Sequence, residues 1–316
     1  MTAHETLPAL LADVTTAAGY RYGAHDDAGR SLDCLKVQGS GPSRYLGASH
    51  VDEGGTFNVY LSSSTDLLDW SSVRQLDTDA SQPTLEPDGK GGWLFGVEVT
   101  RSRGGNCLRF RHYVSTDALV HGKHDRQFEP PSTLASRGSA QGTPDFSDVE
   151  PSPDVDRSVI RVGFHYFAGR DLQATGTLTD LSRWSAHALP DLDARFVGAK
   201  GNVGDRDCFT FEGRPYAVHE AQLTADDWGS WRVWLRDRGD DSVSQLAMRT
   251  HGGSASFGNP MVTRLTLPDG RPGLVVTCFI FGPGSAPGEL GELVFFKPMS
   301  ANDPSADEPS ATIPGG

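Results

Sequence analysis

Three things are scarce in this sequence, and each scarcity excludes a class of protein. Positive charge is scarce: 28 Lys and Arg stand against 41 Asp and Glu, for a net charge of −13. A chain this acidic lacks the basic footprint that nucleic acid attracts. Long apolar runs are missing: no stretch of 18 consecutive apolar residues, the length a membrane-spanning helix needs, occurs. Cysteine is scarce too. Cys34, Cys107, Cys208 and Cys278 have no Cys-x-x-Cys spacing, so they are expected as buried free thiols, not as a zinc site. The opening Met1-Thr-Ala-His-Glu-Thr-Leu-Pro carries neither the basic nor the apolar segment of a secretory leader. The expectation is a cytoplasmic protein acting on a small molecule, with no nucleic-acid or membrane partner.

Glycine and proline are plentiful, at 37 and 20 of 316 residues. That density breaks helices, which excludes a bundle or coiled coil. It implies many short strands between turns. The length allows one large β domain or two ordinary ones.

An internal repeat decides between these. Extended runs at 57–70, 108–119, 174–184 and 231–240 each end in a polar turn holding Asp66, Asp117, Asp180 and Asp237, spaced by 51, 63 and 57 residues. A fifth run, 291–300, falls one period later without the Asp. Before each run lies a strand-like segment (43–51, 92–100, 159–167, 214–222, 272–281), and before that another (31–37, 81–87, 142–149, 204–211, 257–267). Short outer segments follow at Val73, Asp125 and Val243. The unit is a four-stranded antiparallel sheet repeated five times, which predicts an all-β, five-bladed β-propeller. The expected blades are 31–79, 80–135, 142–190, 203–250 and 257–300, within one domain over 1–300. The fifth blade lacks an outer strand of its own, and the reading gives it 18–23. Residues 8–16 are expected as a short surface helix and 301–316 as a disordered tail.

In a propeller the first strand of each blade starts, and the second strand ends, at one axial mouth. First-strand starts carry Asp33, Gln82, Asp145, Asp205 with Asp207, and Asn259; second-strand ends carry His50, Glu98, His165 and Glu220, with Phe279 or Phe281 in the fifth blade. Polar groups at places that packing alone would fill with apolar ones point to a site. Other residues have plainer readings. The four repeat Asp residues are turn caps. Trp70, Trp184 and Trp231 are blade packing. Glu86, Asp88 and Glu150 are solvated hairpin ends, and His112, His121, His124 and His251 are surface residues. Asp205 and Asp207 flank Arg206 and read equally as an ion-paired loop.

The five-fold unit over residues 20–300, the Ser-x-Asp-Leu-x-x-Trp stretch from Ser64 to Trp70, and the order Asp, Asp, Glu at the mouths of blades one, three and four resemble the five-bladed propeller glycoside hydrolases, the arabinanases, xylosidases, levansucrases and invertases. The resemblance implies a general base, a carboxylate that tunes or stabilises, and a general acid, which would be Asp33, Asp145 and Glu220. Glu98 and Asp207 are secondary candidates, and His50, Gln82, His165, Asp205 and Asn259 would bind sugar hydroxyls. The pattern departs from the family in places: Cys34 follows Asp33 where Pro is usual, and Glu220 stands in His-Glu-Ala-Gln. The implied activity is hydrolysis of a small glycoside or oligosaccharide by paired carboxyl groups. Two other readings stay open. One is a non-hydrolytic enzyme (cyclase, lyase or isomerase) using the same acids for proton transfer. The other is a metal centre ringed by His50, Glu98, His165 and Glu220. A binding propeller is a further option. No cofactor is required on the first reading, although a divalent cation could sit at the axial mouth.

Overall fold

A computed structural model describes residues 6–41, 43–101, 105–134, 141–150 and 158–299; the side chains of 147–150, 205 and 206 lie outside that description, as does the expected tail at 301–316. The element order begins with helix α1 (Leu7–Ala12) and strand β1 (Gly19–Arg21). Five antiparallel sheets of four strands then follow around a ring. Blade 1 holds β2 (Asp33–Gly41), β3 (Arg44–Asp52), β4 (Phe57–Ser64) and β5 (Ser71–Thr78). Blade 2 holds β6 (Ala80–Pro87), β7 (Trp93–Thr100), β8 (Asn106–Tyr113) and β9 (Arg126–Phe128), with helix α2 (Thr116–Val120) before its outer strand. Blade 3 holds β10 (Gln141–Glu150), β11 (Val159–Phe167), β12 (Asp171–Thr179) and β13 (Arg183–Ala188), and helix α3 (Pro190–Asp193) leads out of it. Blade 4 holds β14 (Val203–Phe211), β15 (Arg214–Gln222), β16 (Trp231–Asp237) and β17 (Val243–Gln245). In blade 5, β18 (Phe257–Thr266), β19 (Pro272–Ile280) and β20 (Gly291–Pro298) are joined by β1, which pairs antiparallel with β20, Tyr20 opposite Phe295.

A single blade cannot bury both faces of its sheet, so the core divides along the seams between blades. Leu46, Val59 and Leu61 of blade 1 pack on Leu85, Phe95 and Val97 of blade 2. Phe110 of blade 2 packs on Phe146, Ile160 and Val162 of blade 3. Val218 and Val233 of blade 4 meet Phe257 and Leu274 of blade 5, and Leu10, Leu11 and Val14 of the N-terminal segment seal that core. Leu35 and Val37 return to Val275 and Val294 of blade 5. Leu192 and Phe196, in and after α3, cover Trp234 on blade 4. The inner strands β2, β6, β10, β14 and β18 contact one another in turn around the axis.

The repeat-unit tryptophans behave as packing residues: Trp70 and Trp231 are buried. Turn aspartates hold their turns: Asp66 accepts the backbone N–H groups of Leu68 and Asp69, and Asp237 accepts that of Gly239. Three surface assignments are corrected. His112 is buried and bridges Asp88 at 3.0 Å and Asp125 at 2.7 Å. Burial pulls its pKa down, but the two carboxylates outweigh that and the net shift is upward. Asp88, in turn, is held by Lys90 and Gly92 N–H groups. Glu86 is ion-paired rather than solvated, with Lys36 at 2.9 Å. A strand periodicity shows which side chains alternate, but not which polar ones on the buried face find each other.

Candidate axial site

Each inner strand breaks register with its neighbour near its start. The shift falls between Asp33 and Lys36, Ser81 and Thr84, Gly142 and Asp145, Val203 and Arg206, and Gly258 and Met261. A bulge of this kind leaves a backbone N–H without its ladder partner. Four bulge residues have left-handed backbone: Cys34 at φ 58°, Gln82 at 52°, Thr143 at 51° and Asn259 at 47°. For a β-branched Thr that conformation is strained, and it persists only where neighbours fix it.

The neighbours that fix it are the polar residues at the second-strand ends. The Gln82 N–H donates to His50 Nδ1 at 3.1 Å, Thr143 N–H to Glu98 Oε2 at 3.2 Å, and Asn259 N–H to Glu220 Oε2 at 2.7 Å. In each case the preceding blade supplies the acceptor. Where the second strand supplies no such bond, the residue opposite on the third strand supplies the cross-seam contact. Glu292, paired with Phe279, accepts from Cys34 N at 3.2 Å and Leu35 N at 3.3 Å. Gln173, paired with His165, donates to the Val203 and Gly204 carbonyls at 2.9 and 2.6 Å. All five seams therefore carry a polar clasp at the same height. Glycine makes room for two of them, since a Cβ at Gly142 would fall onto Glu98 and one at Gly258 onto Glu220 and Phe281.

The residues named for a possible metal ring each have another partner. Glu98, Glu220 and His50 turn toward backbone N–H groups in three separate seams, and His165 turns to Thr143 Oγ1 at 3.0 Å. Among the described residues no three His, Cys, Asp or Glu side chains come together so as to hold a metal ion. His50 is set by its bond. An Nδ1 that accepts an N–H must be unprotonated, and burial holds the ring's pKa down at about 4, with Asp52 opposing.

Two of the bulge side chains meet each other. Asn259 Nδ2 donates to Gln82 Oε1 at 3.0 Å, joining blades 5 and 2 across the blade between them. Asp33, Gln82, His165 and Asn259 are part-exposed at this mouth. Glu98, Glu220, His50, Asp145 and Asp207 are buried. The Asp205 side chain lies outside the described residues. Asp33 bonds Ser31 Oγ; burial raises its carboxyl pKa, and the Ser31 contact only partly offsets that. Burial raises Glu98 as well, against His165, Asn106 and the Thr143 N–H.

A second tier lies below, at the residues just past each bulge. Lys36 of blade 1, buried, reaches Asp207 Oδ1 and Oδ2 of blade 4 at 2.8 and 2.9 Å. It also reaches Glu86 of blade 2. Asp207 further accepts Val262 N of blade 5 at 2.8 Å, and Asp145 Oδ1 accepts Cys208 N at 3.2 Å. Burial lowers the Lys36 pKa, but Asp207 and Glu86 more than reverse it, so the ammonium stays charged. Burial raises the Asp207 carboxyl, Lys36 pulls it back down, and Asp145 and Glu86 add to the rise. The 2.8–2.9 Å contacts to both oxygens are those of an ion pair.

The sequence reading missed three participants. Lys36 lies within the first strand of blade 1, and no repeat signal marked it. Gln173 and Glu292 lie on third strands, where no repeat signal marked them. A further miss is Trp228, in the turn before β16, which is 56% exposed. A cavity of about 720 Å³ opens elsewhere, at the far hairpins of blade 1, among Ser40, Arg44, Ser64, Asp66, Trp70 and Thr116. No candidate residue lines it.

Five four-stranded blades ringed about a polar axis define the class: this is the propeller fold of the family-43 glycoside hydrolases. A thermostable family-43 glycoside hydrolase matches at TM-score 0.55 and 13% identity, over 90% of this chain and 94% of that one. An α-L-arabinofuranosidase from Lactobacillus brevis matches at TM-score 0.55 and 11% identity, over 86% and 91%. A family-43 endo-arabinanase from Bacillus licheniformis matches at TM-score 0.54 and 11% identity, over 88% and 96%. No family model matches the sequence, and no curated protein does. The likeness is therefore one of fold.

Proposed function

We propose that this protein is a glycoside-hydrolase-like enzyme acting on a small glycoside or oligosaccharide at the axial mouth. One observation carries the reading. A part-buried carboxyl with raised pKa, Asp33, stands at the mouth with three part-exposed hydrogen-bonding side chains, Gln82, His165 and Asn259, in a fold shared with glycoside hydrolases.

Hydrolysis needs a protonated carboxyl to deliver a proton to the leaving oxygen and an ionised one on the other side of the sugar. Asp33, whose neutral form is favoured by burial, suits the proton donor better than the base that the family resemblance implies. Glu220 suits the ionised partner better than the acid, because its Oε2 accepts a backbone N–H. Asp145 lies deeper and would act on charge at the sugar through the field alone. Gln82, Asn259 and His165 would hold sugar hydroxyls.

One observation favours a second reading, a non-hydrolytic enzyme. Glu98, Glu220, Asp145 and Asp207 are buried and hold backbone N–H groups or Lys36. That leaves Asp33 as the carboxyl at the open mouth among the described candidates. A lone acid serves proton transfer in a lyase or isomerase. A screen of aryl glycosides with wild type, Asp33→Asn and Glu220→Gln separates the two. The expected result is turnover that falls by at least about 100-fold in Asp33→Asn. Unchanged turnover in that variant sinks the assignment, and no turnover of any glycoside favours the second reading.

A further inference from the structure

Exposed large apolar side chains are unevenly placed on this molecule. Among the described residues they are Tyr20, Phe57, Val114, Phe167, Val197, Trp228 and Leu290. The topology assigns each to a face. The mouth is where first and third strands begin and second strands end. Phe57 begins β4, a third strand, and Phe167 ends β11, a second strand. Trp228 lies in the turn entering β16, and Leu290 immediately precedes β20, both third strands. Val197 lies on the segment entering the inner strand β14. Five of the seven thus stand around the mouth. Val114, past the end of the third strand β8, is on the far face, and Tyr20 is on an outer strand.

Trp228 is exposed and yet held in place. Asp227 caps its turn by accepting the Gly229 N–H, and Ser256 Oγ donates to the Trp228 carbonyl at 2.6 Å. Its ring meets Phe281 at 5.2 Å and Trp231 at 6.3 Å between centroids, and Phe281 meets Phe279 at 5.2 Å. Phe281 and Glu220 both crowd Gly258 at the axis. A continuous aromatic wall therefore runs from beside the Glu220 clasp out to the rim. In blade 1, next around the ring from blade 5, Phe57 stands edge-on to His50, with centroids 5.1 Å apart.

Fixed, exposed rings of this kind leave an apolar surface in water that only a ligand or partner covers. The part-exposed polar side chains, Asp33, Gln82, His165 and Asn259, sit at the centre of the mouth, and the Trp228–Phe281 wall stands beside them as a fixed aromatic face. We infer that the mouth takes a glycoside whose sugar enters the polar centre and whose aromatic or otherwise apolar aglycone lies against the Trp228–Phe281 wall. This rests on the glycoside reading for its sugar half; the apolar half stands on the wall alone.

The test uses calorimetric binding, which needs no turnover, on the full chain. The probes are 4-methylumbelliferone, its glycosides, xylotriose and arabinotriose. Expected is saturable binding of the aglycone, weakened about tenfold in Trp228→Ala and largely restored in Trp228→Phe, with the trisaccharides binding more weakly than the aryl glycosides. Thermal melting of Trp228→Ala should match wild type, since the ring is at the surface. Trisaccharides binding tighter than the aryl compounds would overturn the inference, as would an unchanged aglycone Kd in Trp228→Ala. Self-association abolished by Trp228→Ala would overturn it too, by assigning the wall to a protein contact. Trp228-dependent aglycone binding without hydrolysis of any glycoside leaves this inference standing and removes the hydrolase reading.

Discussion

The axis carries two tiers of charged side chains, engaged in different ways. In the upper tier Glu98, Glu220 and Glu292 each accept a bulge N–H from the next blade, so each contact joins neighbours. In the lower tier Lys36 joins blade 1 to Asp207 of blade 4 and Glu86 of blade 2, so one ammonium braces blades that do not all touch. The difference shows what a carboxylate on a propeller axis does by default. It completes a backbone that the inner-strand bulge has left unpaired, or it balances a buried cation. Asp33 has neither job: its carboxyl bonds Ser31 and stands part-exposed at the mouth.

Breaking the lower tier should have the largest effect. Lys36→Met leaves Asp207 and Glu86 without their cation in a dry environment, and removing one partner of a buried pair costs about 3–5 kcal/mol. Chemical denaturation should show that loss, and Lys36→Met/Asp207→Leu should recover much of it. A single variant as stable as wild type would mean the tier is no brace.

Acid should break the upper clasp that His50 makes. His50 has its folded pKa lowered to about 4, below the roughly 6.5 of an unfolded His. A lowered His pKa favours the neutral folded form, so its stability is present above about pH 6.5 and is lost as pH falls toward 4. The full loss is on the order of 3 kcal/mol. Denaturation curves at pH 7 and pH 4.5 should diverge less in His50→Gln than in wild type. Equal divergence would place the acid sensitivity elsewhere.

These two contacts were unequally legible in the sequence. The blades were legible because strand periodicity and turn residues repeat, and because Asp66 and Asp180 each begin an Asp-Leu-x-x-Trp pattern. The second-strand polar residues were legible as a ring, which is why His50, Glu98, His165 and Glu220 stood out. Their partners were not, because a bulge with positive φ at Cys34, Gln82, Thr143 and Asn259 has no sequence signature when the residue is not glycine. The Lys36–Asp207 pair was invisible for another reason. Its members are 171 positions apart and meet only when the ring closes. Trp228 was overlooked because it belongs to no repeat.

Glu98→Gln tests how far charge matters in the upper tier. The amide oxygen still accepts the Thr143 N–H, but the amide NH2 cannot accept from Asn106 Nδ2 as Oε1 does, so one hydrogen bond and the charge assistance are lost, about 2 kcal/mol. Burial raises the Glu98 pKa, so part of even that loss is offset at neutral pH. A loss as large as that of Lys36→Met would erase the distinction between the tiers.

Asp33→Asn should move stability least and in the opposite direction. A carboxyl whose folded pKa is raised by burial stabilises the fold only while protonated. That stability is full below the unfolded value of about 3.9 and is lost as pH rises through the folded pKa. Asn stays neutral throughout, so the variant should match wild type near pH 3.5 and exceed it at pH 7. A gain of that kind at a mouth residue is what the proposed proton-donor role of Asp33 would lead one to expect. An Asp33→Asn protein no more stable than wild type at pH 7, measured by denaturant midpoint, would instead give Asp33 a structural role like that of Glu98.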